Sequence, residues 1–162
     1  MMLGVQNVQA VQEFKLLGAV QQKETSMSTF VGGCQCGQVR YESNAQPLFS
    51  GNCHCRECQK ATGGAYVPAL AIPANSLKVT GEVKYYESRA DSGNTFSRGF
   101  CPDCGSRIFG MTSGFPQFIL ITAGSLDDPS SFKPAMDFFT SSAQPWDYMD
   151  PKLPKFAKQP KV

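Results

Sequence analysis

Seven cysteines stand in three short clusters along this chain: Cys34 with Cys36, then Cys53, Cys55 and Cys58, then Cys101 with Cys104. These clusters constrain the fold more tightly than any apolar pattern, because sulfur ligands to one ion must converge wherever they lie in the chain. Seven divides into a closed set of four thiolates and an open set of three, the ligand count of one structural and one catalytic zinc. Disulfides are the competing use. An odd total leaves one thiol over, however, and paired cysteines in a reducing compartment serve as ligands.

At 162 residues the chain is sized for one domain. Fifteen glycines and eleven prolines break it into short runs, so metal crosslinks are expected to supply part of its order. The formal charge is +2 with neutral thiols, and ionising seven thiols while adding two divalent ions brings it to −1. Such a near-neutral domain is not expected to bind nucleic acid strongly. No apolar run reaches the roughly 18 residues of a membrane span. The start also lacks a basic region followed by an apolar one, and a soluble, cytoplasmic protein is expected.

Residues 1–28 read as an N-terminal appendage, with Val5, Val8, Val11 and Leu16 at roughly helical spacing and Met27 as an alternative start. Residues 29–150 form the zinc-binding domain, and 151–162 a Lys- and Pro-rich tail whose Lys152, Lys155, Lys158 and Lys161 point to solvent. Within the domain, strands are predicted over 38–42, 48–50, 66–72, 83–87, 95–100, 107–111, 118–123 and 136–140. So many short strands make a mainly antiparallel, mainly β domain. One short helix is predicted from near Cys55, stopped by Gly63-Gly64.

Cys34-Gln35-Cys36-Gly37 and Cys101-Pro102-Asp103-Cys104-Gly105 each place two thiols within one turn followed by glycine. Gly37 and Gly105 are expected to take positive φ under the metal and to free amides for the sulfurs. The other reading of Cys101 and Cys104, a redox dithiol, calls for a following helix, whereas 107–111 reads as strand. In Cys53-His54-Cys55-Arg56-Glu57-Cys58 three thiols lie within six residues, and no fourth cysteine remains for them. The open coordination position suits an exchangeable ligand such as a substrate thiol. His54, the sole histidine, lies between two ligands, so its ring is expected to point away and hydrogen-bond; a fourth-ligand or acid–base role is the alternative. Arg56, Lys60 and Arg98 either bind a substrate carboxylate, offset thiolate charge, or face solvent. Tyr66, Phe96, Phe100, Phe109, Phe138, Phe139 and Trp146 are candidates for core and site wall.

Four ordered segments carry a family likeness: Gly33-Cys34-Gln35-Cys36-Gly37-Gln38-Val39-Arg40-Tyr41, Cys53-His54-Cys55-Arg56-Glu57-Cys58-Gln59-Lys60, Phe100-Cys101-Pro102-Asp103-Cys104-Gly105-Ser106 and Gly124-Ser125-Leu126-Asp127-Asp128-Pro129. Together they resemble the glutathione-dependent formaldehyde-activating enzyme, or centromere protein V-like, family. The resemblance implies a complex β fold of the Mss4-like type with two zinc ions. By position Cys34, Cys36, Cys101 and Cys104 match the structural site and Cys53, Cys55 and Cys58 the catalytic one. It further implies carbon–sulfur lyase chemistry on a small thiol and an aldehyde, condensing glutathione with formaldehyde to S-hydroxymethylglutathione. Asp137 stands where the family often carries a histidine, a change of charge and proton affinity. A non-catalytic, zinc-scaffolded module binding protein or chromatin is the competing class of function, and an inactive enzyme retaining its metals is a third. A serine triad is not supported, since the only histidine sits within the cysteine cluster.

Overall fold

A computed structural model describes residues 30–160; the appendage predicted over 1–28, with Met27, and Lys161 at the other end lie outside the described residues. Among the described residues no helix is long and apolar enough to cross a membrane. A small antiparallel sheet joins β1 (Phe30–Gly33), β2 (Arg40–Ser43) and β5 (Lys78–Thr80) in the order β1-β2-β5. The large sheet contains β3 (Phe49–Cys53), β4 (Val67–Pro73), β6 (Lys84–Arg89), β7 (Thr95–Phe100), β8 (Arg107–Thr112), β9 (Phe118–Thr122), β10 (Asp137–Phe138) and β11 (Lys155–Phe156). Its order is β11-β10-β3-β4-β9-β8-β7-β6. A single α-helix, α1 (Arg56–Thr62), follows β3 among the described residues. This is the mainly β, Mss4-like architecture expected of the chain, with few helices and two cysteine clusters.

The run Val67-Pro68-Ala69-Leu70-Ala71-Ile72 has no polar side chain to spare for solvent, and β4 accordingly lies inside the sheet between β3 and β9. Leu70 and Ile72 pack with Ile108, Phe109, Ile119 and Ile121, while Tyr41 reaches them from β2 and Val39 from the residue before it. Tyr41 meets Phe109 edge to face at 5.4 Å between ring centroids. Cys34 and Cys101 belong to this core, so the four-cysteine set is built on the main apolar cluster. Cys53 and Cys58 belong to a second cluster with Val67 and Ala69, against which Phe138 and Phe139 pack.

Three strands depart from the sequence expectation. β1 carries two glycines and β5 is three exposed residues, so neither has the apolar alternation that marks a strand. β11 brings the backbone of the expected tail into the sheet, where Lys155 and Phe156 pair in parallel with Asp137 and Phe138, while Lys152, Lys155 and Lys158 stay exposed as expected. β10 is in turn parallel to β3, aligning Asp137 with Asn52 and Phe138 with Cys53. These two parallel pairings, in an otherwise antiparallel sheet, place the C-terminal segments beside the middle cysteine cluster.

Candidate functional site

The four Sγ atoms of Cys34, Cys36, Cys101 and Cys104 lie within 4.8 Å of one another. Cys34 and Cys36 are 3.4 Å apart and Cys36 and Cys101 3.7 Å. A tetrahedral zinc with bonds of about 2.3 Å separates its sulfurs by about 3.8 Å, so these residues fit that ion. Gly37 and Gly105 have φ of 80° and 73°, the left-handed turn each knuckle needs. The amide of Val39 donates to Cys34 Sγ at 3.2 Å, and that of Gln35 to Ser106 Oγ at 3.0 Å, tying the two knuckles together. Ser106 also hydrogen-bonds Cys104, holding that thiol down at about 5. Four protein sulfurs close the ligand set.

The middle cluster is assembled locally. Cys53 ends β3, and strand alternation returns Cys55 to the same side while turning His54 to the other. Cys55 caps α1, and its Sγ accepts from the amide of Cys58 at 3.4 Å, bringing the third thiol round one helical turn. Gly63, at φ 70°, stops the helix as the sequence suggests. Gln59 then donates to the carbonyls of His54 at 2.6 Å and Ser142 at 2.9 Å, pinning the helix to the strand. The three Sγ atoms lie within 4.8 Å of one another and no His, Asp or Glu among the described residues joins them.

Crowding alone forbids three thiolates here. Hydrogen bonds from Cys53 and then Cys58 hold Cys55 down at about 2. The bond to Cys55, then that to Cys58 and burial, push Cys53 well up. Cys58 is pushed up to about 11: its bond to Cys53 acts downward but is outweighed by Cys55 and burial, and the charge of Arg107 also acts downward. One negative charge is thus shared among three sulfurs. Only a cation can hold all three ionised, which is the chemistry of a metal-ligating donor set.

These cysteines form one side of a cavity of about 390 Å³, in the range of small-molecule sites. Its apolar wall includes Phe96, Phe115, Phe118, Leu120, Phe138 and Phe139. Phe139 sits at φ 58°, an uncommon conformation for a bulky residue, at the turn that follows β10. Of the aromatic candidates, Phe96, Phe138 and Phe139 line this cavity and Phe109 lies in the main core. Trp146, 68% exposed, and Tyr66, 36% exposed, are corrections to a core reading.

The basic candidates separate. Arg98 lines the cavity but is engaged, donating to Glu57 of α1 at 3.0 Å and to Ser88 at 2.6 Å, with its guanidinium 4.8 Å from the Phe96 ring centre. Arg56 lies at the cavity edge, exposed, and donates to Gln59. Lys60 is exposed and is not among the lining residues. Arg107, which the sequence marks only as the start of a strand, also lines the cavity. No local signal marks it; only the return of β8 beside the middle cluster does.

His54 is buried, turned away from the sulfurs and clasped from both sides. Its Nδ1 is 2.7 Å from Asp147 Oδ2 and its Nε2 3.3 Å from Asp137 Oδ1, which also accepts from Asn52 Nδ2 at 2.9 Å. Asp137 is 1% exposed and absent from the cavity lining. Its contacts are thus with His54, between Cys53 and Cys55, and with Asn52, and not with the cavity wall.

A family model described as glutathione-dependent formaldehyde-activating enzyme matches residues 29–142. No curated protein is significantly similar to the chain. A crystal structure of a Rhodobacter sphaeroides protein is 19% identical to it, covering 64% of this chain and 91% of that one with a TM-score of 0.49.

Proposed function

The chain belongs to the glutathione-dependent formaldehyde-activating enzyme family, which makes it an enzyme of the carbon–sulfur lyase type, and we propose that it joins a small thiol to an aldehyde in the cavity over Cys53, Cys55 and Cys58. The thiol and aldehyde are glutathione and formaldehyde, giving S-hydroxymethylglutathione, or a closely related pair. In the forward direction a bond forms between sulfur and the carbonyl carbon, and the sulfhydryl proton ends on the former carbonyl oxygen. No oxidant or reductant is required.

The observation that carries this reading is the contrast between the two cysteine sets. Four sulfurs converge in one, whereas in the other three sulfurs converge on the wall of a cavity with room for a substrate. Zinc is the ion we assign to both, and at the three-cysteine set it would keep a substrate thiol ionised at neutral pH and so supply a nucleophile. Cys53, Cys55 and Cys58 are the residues that would hold it. The phenylalanine wall removes water from around the reacting atoms and strengthens electrostatic interactions among them. Arg98, fixed by Glu57 and Ser88, contributes a positive charge at a set position. Seven closely spaced free cysteines serve as ligands only when reduced, which supports a cytoplasmic setting.

Metal analysis and exchange NMR with ¹³C-formaldehyde and glutathione test the proposal. The folded chain should carry two zinc ions and accelerate exchange between free formaldehyde and the adduct. Cys55→Ser should retain one zinc and lose the acceleration. Two zinc ions with no acceleration by the wild-type chain would refute the assigned reaction.

A further inference from the structure

Resting on that reading of the cavity, we infer that Arg107 is its carboxylate receptor, so that the thiol substrate is an acid held by its carboxylate at β8 while its sulfur reaches the three-cysteine cluster. Nε and Nη1 of Arg107 are buried, and neither has a hydrogen-bond acceptor. A guanidinium cannot shed its charge to relieve such burial, so its donors require an anion or another acceptor. The protein's own acids nearby are engaged elsewhere. Glu57 is paired with Arg98 at 3.0 Å, and Asp91, the other carboxylate on the cavity wall, is 3.5 Å from Lys158 Nζ. Arg107 is the cation lining this cavity, among the described residues, whose buried donors are left for a ligand.

The chemistry selects the ligand class. Arginine donors in a planar fork match a carboxylate, and the apolar surround strengthens the pairing relative to water. Cys58 and Arg107 both line the one cavity of about 390 Å³, so sulfur and carboxylate of one small molecule have their partners in a single space. Charge compensation of the cysteine cluster is the rival use of Arg107. It makes a different prediction, because it is indifferent to the ligand's carboxylate.

The test uses the zinc-loaded full chain and calorimetric titration with three probes: 3-mercaptopropionate, its methyl ester, and 3-(methylthio)propionate. Wild type should bind the acid about 10- to 100-fold more tightly than the ester, the range of a charge-assisted hydrogen bond. Arg107→Met should abolish that preference while leaving the ester's affinity unchanged. Equal affinity of wild type for acid and ester overturns the inference, and needs no variant. So does an Arg107→Met protein that weakens both probes alike, the result expected of charge compensation. The thioether separates the two readings. If it binds wild type as tightly as the thiol and loses that affinity in Arg107→Met, the carboxylate site stands and the proposal that sulfur meets the metal fails.

Discussion

Removing metal from the two cysteine sets should have very different consequences for stability, because they close loops of very different length. Cys36 and Cys101 are 65 residues apart, whereas Cys55 and Cys58 are three apart. Loop-closure entropy scales as about 3/2 RT ln n, so joining the distant pair restricts the unfolded chain by about 3 kcal/mol more than joining the near one. Against a net stability of roughly 5–15 kcal/mol that is a large share. The perturbation is the pair Cys101→Ser with Cys104→Ser, compared with Cys53→Ser and Cys55→Ser. Each pair includes one buried cysteine, so the cost of burying a serine hydroxyl is roughly matched. With zinc saturating, urea denaturation should show the first variant less stable than the second by about 3 kcal/mol, a shift in Tm on the order of 10 °C. Equal destabilisation within about 1 kcal/mol, or the opposite order, would refute the view that the closed set is the long-range crosslink of the fold.

His54→Ala would leave Asp137 and Asp147 facing an empty buried site, and should cost about 3 kcal/mol or more in urea denaturation; a loss under about 1 kcal/mol would show the clasp to be incidental. Metal binding at the three-cysteine set should release two protons near neutral pH. Cys55, held at about 2, is already ionised there, while Cys58 keeps its proton until about pH 11 and Cys53, pushed well up, also keeps its own. Affinity for zinc should therefore rise with pH, by about tenfold per proton per pH unit. Titration with the four-cysteine set already loaded, in buffers of different ionisation enthalpy, counts those protons directly. Release of fewer than one would mean the thiols are not arranged as described.

Much of the arrangement of the two cysteine sets was legible without coordinates, because convergence of near neighbours is a local property. Two thiols one turn apart with a following glycine at positive φ are set by a few dihedral angles, and Gly37, Gly63 and Gly105 adopt the conformations their positions suggested. Three cysteines in six residues, the last at the first turn of a helix, converge for the same reason. The strands with apolar side chains were also legible to within a residue or two at most ends, whereas β1, β5 and β11 lack apolar alternation and form through their backbone pairing with β2 and β10. His54 could be seen to point away from the sulfurs, but not to what. Its partners Asp137 and Asp147 arrive from 83 and 93 residues away through the parallel addition of β10 to β3 and the turn beyond it. Arg107 shows the same division. Its sequence neighbours mark only a strand, and its buried, unpaired donors exist because β8 folds beside the cysteine cluster and the nearby acids pair elsewhere. Ligand spacing is decided by bond geometry over a few residues. Cavity walls and long-range partners are decided by which apolar surfaces the whole chain can bury together.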